Sequence, residues 1–381
     1  MPSEAVMEAP SLPSARAASR GISAISRLPS LDGWRAISIG MVLIAHSRQT
    51  PGFPSWLHWT TGLVNDGALG VQLFFIISGF LITWLMLRED ERSDGVHLKH
   101  FYIRRALRIL PAYLALLAVI ALLQACTSLT IPPRAWLGNL TFTANYLGGQ
   151  PWVSDHLWSL SVEEQFYLLW PFMFVVLRLG TRRKLALGIL AIPIVIPPIV
   201  RVMEYKQFYT AQWAWLFGPA SLAHSMDCLA FGCASAILLS STPELVRNYL
   251  TRRPWLPVAI AALLILVPHV LTRLLILGIF TVPFRQTCQA LGFSILILQS
   301  VHLPRAGAYK MMNWKWVAWF GGCSYSIYLW HMLFCGDPGE LGLNQSWWMS
   351  FPIWLIPALL TAAASYRFIE TPFLKLRSRF R

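Results

Sequence analysis

Long apolar runs separated by short, mostly basic segments make up nearly the whole chain. A helix that crosses a bilayer needs about 20 mainly apolar residues. Ten stretches approach that length, at roughly 33–49, 68–87, 106–124, 157–178, 185–201, 217–239, 255–280, 287–303, 316–335 and 348–370. The pattern predicts an all-α fold, a polytopic transmembrane helical bundle of about ten spanning helices. A membrane domain over residues 30–376 would lie between a tail at 1–29 and a short basic cytoplasmic tail at 377–381.

The segments between spans alternate in charge. Of the 31 Lys and Arg residues, 25 fall in the N-terminal tail, in every second gap after it and at the C-terminal end. The other gaps hold only Arg48, Arg134, Arg201, Lys206, Arg273 and Arg285. Cytoplasmic loops collect Lys and Arg, so both termini are expected in the cytoplasm, with the chain multi-pass in the inner (plasma) membrane of a cell. Residues 1–29 are rich in Ala, Ser and Pro without an apolar core, which predicts a disordered tail and not a cleaved signal peptide.

Composition agrees with the bilayer as solvent. Hydrophobic residues make up 56% of the chain and charged residues 13%, against about 25% charged in soluble domains. A net charge of +14 could suggest a nucleic-acid partner, but its alternation along the spans accounts for it and no nucleic acid is expected. The six cysteines (126, 228, 233, 288, 323 and 335) include no CxxC pair, so neither a disulfide framework nor a metal site is expected. The longest gap, 125–156, carries Trp136, Phe142, Tyr146 and Trp152 with Gly148 and Gly149, as suits a lid or short re-entrant segment.

Ionisable groups inside spans are costly and mark candidate chemistry. Arg35 and His46 in the first span lie eleven residues apart, close to three turns, so they share a face at a separation of roughly 16 Å. Arg35 could instead be a snorkelling anchor, and His46 a helix-packing hydrogen bond. The fourth span, opening HLWSLSVEEQFYLLWP, buries Glu163 and Glu164, which cannot share an orientation. His224 and Asp227 stand at i, i+3 in the sixth span and His331 ends SYSIYLWH in the ninth. Each could be a satisfied buried polar group; their common depth argues for a shared cavity. At the start of the third span, FYIRRALRILP places Arg104 and Arg108 on one face while Arg105 points elsewhere. Such a group suits phosphate, or anchoring alone.

These elements together resemble the acyltransferase 3 family, membrane-embedded O-acyltransferases that modify carbohydrates and some secondary metabolites. The resemblance runs from about residue 28 to 376. Its R-x10-H element corresponds to Arg35 and His46, its glycine-led second helix to Gly70–Thr83, its basic element to Tyr102–Pro111, and its W-S-L-x-V-E-x-Q-F-Y element to Trp158–Tyr167. MDCLAFG around Asp227, SYSIYLWH to His331, and the E-x-P at Glu370 and Pro372 follow in order. The resemblance implies that His46 is the essential histidine, Arg35 its companion and Glu163, not Glu164, the family acid. Gln72 departs from the pattern, standing where the family commonly has an acidic residue. Many relatives carry a fused hydrolase-like domain; here the transfer is expected to finish inside the membrane domain.

The expected activity is transfer of an acyl group, acetyl by family habit, from cytoplasmic acyl-CoA to a hydroxyl of a carbohydrate-type acceptor. Arg35, Arg104, Arg105 and Arg108 would hold the donor's phosphates, and Glu163 would orient His46 as base. Asp227, His331, Gln72 and Trp158 are candidates for the substrate site, and no metal is expected. A proton-coupled transporter is the main alternative, since His, Glu, Asp and Arg within spans also build proton relays; the inverted repeats that would support it are not seen. A glycan polymerase or ligase would need larger extracytoplasmic loops.

Overall fold

A computed structural model describes residues 28, 30–58, 67–93, 95–208, 216, 218–241, 243–336 and 347–380. Most of the tail expected at 1–29 lies outside the described residues. The long helices are α1 (Leu31–Ser47), α2 (Ala68–Ser93), α3 (Leu98–Cys126), α4 (Leu157–Val176), α5 (Arg183–Tyr205), α6 (Leu222–Ser241), α7 (Trp255–Arg273) and α8 (Gly278–His302). They are followed by the shorter α9 (Lys315–Gly322), α10 (Ser324–Trp330) and α11 (Leu355–Ala364). No strand occurs among the described residues. By length and composition α2, α3, α5, α6 and α7 can each cross a membrane, so the chain is a polytopic, all-α membrane protein. The remaining expected spans also fall on helical segments.

The second helix is the centre of the bundle. Most of its circumference is buried, whereas α7 turns most of its surface outward. Small residues allow its backbone to meet that of α6. A Cβ on Gly79 would lie 2.0 Å from the carbonyl oxygen of Leu229, and one on Gly232 would lie 2.1 Å from that of Ile76. Lipid tails are as apolar as Leu, so close van der Waals approach of this kind replaces the hydrophobic drive that assembles soluble bundles. Trp170 of α4 adds a buried hydrogen bond from its indole nitrogen to Thr83 of α2, at 2.8 Å.

Several boundaries differ from those expected: the third helix starts at Leu98, the tenth span is a 3-10 turn at Trp347–Met349 followed by α11 and a π-helical segment at Ser365–Glu370, and two further cases carry a physical reason. The seventh span does not run to residue 280: α7 ends at Arg273, and α8 begins at Gly278. Leu275 and Leu277, at φ 58° and 52°, reverse the chain between them. The run LLILGIF at 274–280 is apolar throughout, so hydropathy alone could not locate the turn. The ninth span is broken at Cys323 into α9 and α10, and it ends in a tight 3-10 turn at His331–Leu333. Irregular backbone at membrane depth is tolerated where it lines a cavity, and α10 does so. The 125–156 gap folds into short helices at Pro133–Thr141, Ala144–Leu147 and Trp152–Asp155, which lead directly into α4.

Candidate active site

Among the described residues, two cavities within the bundle collect the candidate side chains. The larger, about 1030 Å³, is lined by Arg35 of α1, by Arg104, Arg105 and Arg108 of α3, by Ser78 of α2, and by Glu163 and Tyr167 of α4. All three α3 arginines reach it, so Arg105 does not point elsewhere as its helical position had suggested. Their partners differ. Arg104 is engaged by Glu89 at 2.5 Å and by the carbonyl oxygen of Phe380 at 2.7 Å. Arg105 lies over the Tyr167 ring at 3.5 Å and 3.9 Å from Glu163. Arg108 makes no ion pair among the described residues and stands beside Arg35. Among the described residues, seven arginines and four carboxylates, Asp32, Glu89, Glu163 and Glu370, line this cavity, an excess of guanidiniums that suits an anion.

The smaller cavity, about 360 Å³, is lined by His46 of α1, by Asp155 and His156 just before α4, by Trp158, and by Val71 and Tyr328. Three histidine rings cluster there: those of His46 and His331 are 4.8 Å apart, and those of His156 and His331 5.3 Å. Hydrogen bonding fixes their tautomers. Nδ1 of His331 is 2.7 Å from the carbonyl oxygen of Tyr328, which can only accept, so Nδ1 carries the proton and Nε2 a lone pair. Nδ1 of His46 is 3.0 Å from the carbonyl oxygen of Val42 and 3.3 Å from that lone pair, so it too carries the proton. The remaining nitrogen of His46, Nε2, is left basic in the wall of the cavity. His156 donates from Nε2 to the carbonyl oxygen of Leu329 at 3.1 Å, and its buried Nδ1 has no partner among the described residues. Asp155, outside the spans, has its carboxyl pushed upward by burial and drawn back by His46.

The acyltransferase-domain family model matches residues 28–368. The chain belongs to the acyltransferase 3 family. Among the relatives it resembles, the peptidoglycan O-acetyltransferase OatA of Listeria monocytogenes is 27% identical over 381 residues, covering 91% of this chain and 56% of that protein. A Staphylococcus aureus protein provisionally named an O-acetyltransferase is 29% identical over 371 residues, covering 91% of this chain and 57% of its own length. The chain thus spans little more than half the length of the curated relatives it matches. No solved structure matches it.

Against the acyltransferase 3 motifs, the structure gathers most of the sequence candidates and separates the rest. Arg35, Arg104, Arg105, Arg108 and Glu163 share the large cavity; His46 and Trp158 line the small one, and His331 lines neither but is buried against His46. The expected contact between Glu163 and His46 is not made. The Glu163 carboxylate accepts from Ser78 and Tyr167 and faces Arg105, because α4 turns it toward α2 and α3. Glu164 lines neither cavity, and its Oε1 is buried without a partner among the described residues.

Asp227 likewise lines neither cavity. It is fully buried, gripped by Arg201 through both carboxylate oxygens at 2.8 and 2.7 Å and by Thr287 at 2.6 Å, and so ties α6 to α5 and α8. His224, its i−3 neighbour, faces Glu204 at 3.2 Å. Gln72 is buried in α2 outside both cavity walls, with its amide oxygen unpartnered among the described residues. Sequence reasoning passed over Asp155, His156 and Tyr328. The first two stand immediately before the fourth span, and Tyr328 stands three residues before His331, one helical turn away.

Proposed function

We propose that the protein is a membrane-embedded O-acyltransferase that moves an acyl group, acetyl in the simplest case, from cytoplasmic acyl-CoA to a hydroxyl of a carbohydrate-type acceptor. The observation that carries this reading is His46: its Nδ1 is engaged by the Val42 carbonyl and His331, which leaves Nε2 as the candidate base, and the residue lines the small cavity. Nε2 would take the hydroxyl proton as the oxygen attacks the thioester carbonyl, and the thiolate of CoA would leave. The imidazolium then formed is stabilised through Nδ1–H by the Val42 carbonyl and by Nε2 of His331, neutral acceptors where a catalytic triad uses a carboxylate. Asp155, in the same wall, adds a favourable field.

The donor's phosphates suit the large cavity, with Arg108 and Arg35 the guanidiniums least engaged by carboxylates. Glu163 acts there by ordering Arg105 and Tyr167. The acceptor enters the small cavity against Trp158. With the basic segments in the cytoplasm, the donor cavity opens inward and the histidine cavity outward, in the plasma membrane. The named activity of the Listeria relative supports a cell-wall glycan of the peptidoglycan kind as the acceptor class.

Membranes containing the full chain, supplied with acetyl-CoA labelled in the acetyl group, should transfer label to a glycan, and His46→Ala should abolish it. Label that stays in acetyl-CoA, or an active His46→Ala protein, overturns the reading.

A further inference from the structure

The base and the arginines that would hold the donor face different cavities. For an acyl-CoA to react, its thioester must come from the large cavity to Nε2 of His46. Among the described residues, only two line both cavities: Val71 of α2 and Tyr328 of α10. A route from one cavity to the other would therefore run past these two side chains.

Tyr328 is held at that passage by a small polar latch. Its hydroxyl is 2.9 Å from the carbonyl oxygen of His156 and 2.5 Å from Oγ of Ser159. The His156 carbonyl can only accept, and it lies within reach of both hydroxyls, 2.9 Å from Tyr328 and 3.1 Å from Ser159 Oγ; Tyr328, Ser159 and this carbonyl thus form one three-membered hydrogen-bonded cluster. The Tyr328 ring meets Phe74 edge-on at 6.0 Å, and Phe74, Phe75 and Leu160 give the donor side of this wall an apolar portion, beside the polar Ser78, Ser159 and Glu163. The backbone carbonyl of Tyr328 is a separate anchor, accepting from His331. Rotation of the phenol about χ1 would thus release the latch and widen the passage while leaving the carbonyl that fixes the His331 tautomer in place.

We infer that Tyr328 and Val71 form the port between donor cavity and base, that they limit the length of acyl chain transferred, and that the Tyr328 latch keeps water from the thioester until an acceptor is seated. The inference rests on the acyl-CoA reading above. An apolar port discriminates by size: each methylene that a pocket cannot take is worth about 10- to 200-fold in specificity. A closed port also prevents hydrolysis, in which a water oxygen bonds to the acyl carbon, the C–S bond breaks, and the departing thiolate takes up a proton to leave free acid and CoA.

The test measures kcat/KM of the full chain in membranes with acetyl-CoA and butyryl-CoA, together with CoA release in the absence of acceptor. Tyr328→Ala and Val71→Ala should each raise the butyryl-to-acetyl ratio by about 10-fold or more. Tyr328→Phe keeps the ring but loses the latch; it should leave that ratio near the wild-type value and increase acceptor-independent CoA release several-fold. Val71→Ala removes only two methyl groups, so it carries the test if Tyr328→Ala does not fold. An unchanged ratio in active Val71→Ala and Tyr328→Ala proteins overturns the port. A wild-type protein that uses no acyl-CoA at all overturns the donor reading, and the port with it. The two failures are distinguished by whether acetyl-CoA is consumed by the unaltered protein.

Discussion

Nε2 of His331 stands 3.3 Å from Nδ1 of His46, although 285 residues separate the two in sequence. If His46 is the base proposed above, this contact and the Val42 carbonyl engage its Nδ1 and leave Nε2 for the hydroxyl. His331→Ala is expected to lower kcat by about 10- to 100-fold, the worth of a hydrogen bond to a charged group, with the KM for acyl-CoA little changed. His331→Gln, which restores an acceptor, should recover part of the loss. Steady-state kinetics of the two variants checks this; an alanine variant as fast as wild type would remove His331 from the mechanism.

His46 and Glu163 act at different places, and their losses should therefore multiply. His46→Ala is expected to cost about two to four orders of magnitude in kcat. Glu163→Gln should weaken donor binding by loosening Arg105 and Tyr167. Residues without shared partners add in free energy, so kcat/KM of the double variant should be reduced by the product of the single effects. A double variant no worse than His46→Ala would mean that the carboxylate works through the histidine after all.

Among the arginines, partner count predicts rank. Arg104 is already neutralised by Glu89, whereas Arg108 faces the cavity without an ion pair among the described residues. Arg108→Ala should raise the KM for acyl-CoA by about 10- to 100-fold, and Arg104→Ala by clearly less, with the acceptor KM unaffected in both. The reverse order in donor titrations would place the phosphates at the cavity mouth, beside Glu89.

Asp227 should matter for stability. Removing one partner of a buried ion pair leaves an uncompensated charge and costs about 3–5 kcal/mol. Asp227→Ala should therefore lower the melting temperature and yield in detergent sharply. Replacing Arg201 and Asp227 together by Met and Leu should be far milder, because no charge is then stranded. A double replacement as damaging as the single one would point to a role beyond packing.

Orientation is the remaining expectation. A C-terminal reporter that is active only outside the cytoplasm should be silent, and an identical reporter inserted near Ala144, in the 125–156 segment, should be active. The opposite pattern would invert the sidedness assigned to the two cavities.

Hydropathy and charge were enough to determine the all-helical, membrane-crossing architecture, because the length of an apolar run and the identity of its flanking residues are local properties of the chain. Helical periodicity likewise put Arg35 and His46 on one face of α1. What periodicity cannot supply is the neighbour that each face meets. Glu163 and His46 were expected at similar depth, yet packing of α4 against α2 and α3 directs the carboxylate to Ser78, Tyr167 and Arg105. Asp227 was expected in the site for the same reason, and Arg201 on α5 claims it instead. The turn at Leu275 and Leu277 lay inside a uniformly apolar run, where hydropathy has no contrast to read. Depth in a bilayer follows from position along a span, but rotation about each helix axis and the choice of partner helix are decided by close packing between small residues such as Gly79 and Gly232. That choice, made only in three dimensions, divides the site into two cavities with Tyr328 between them.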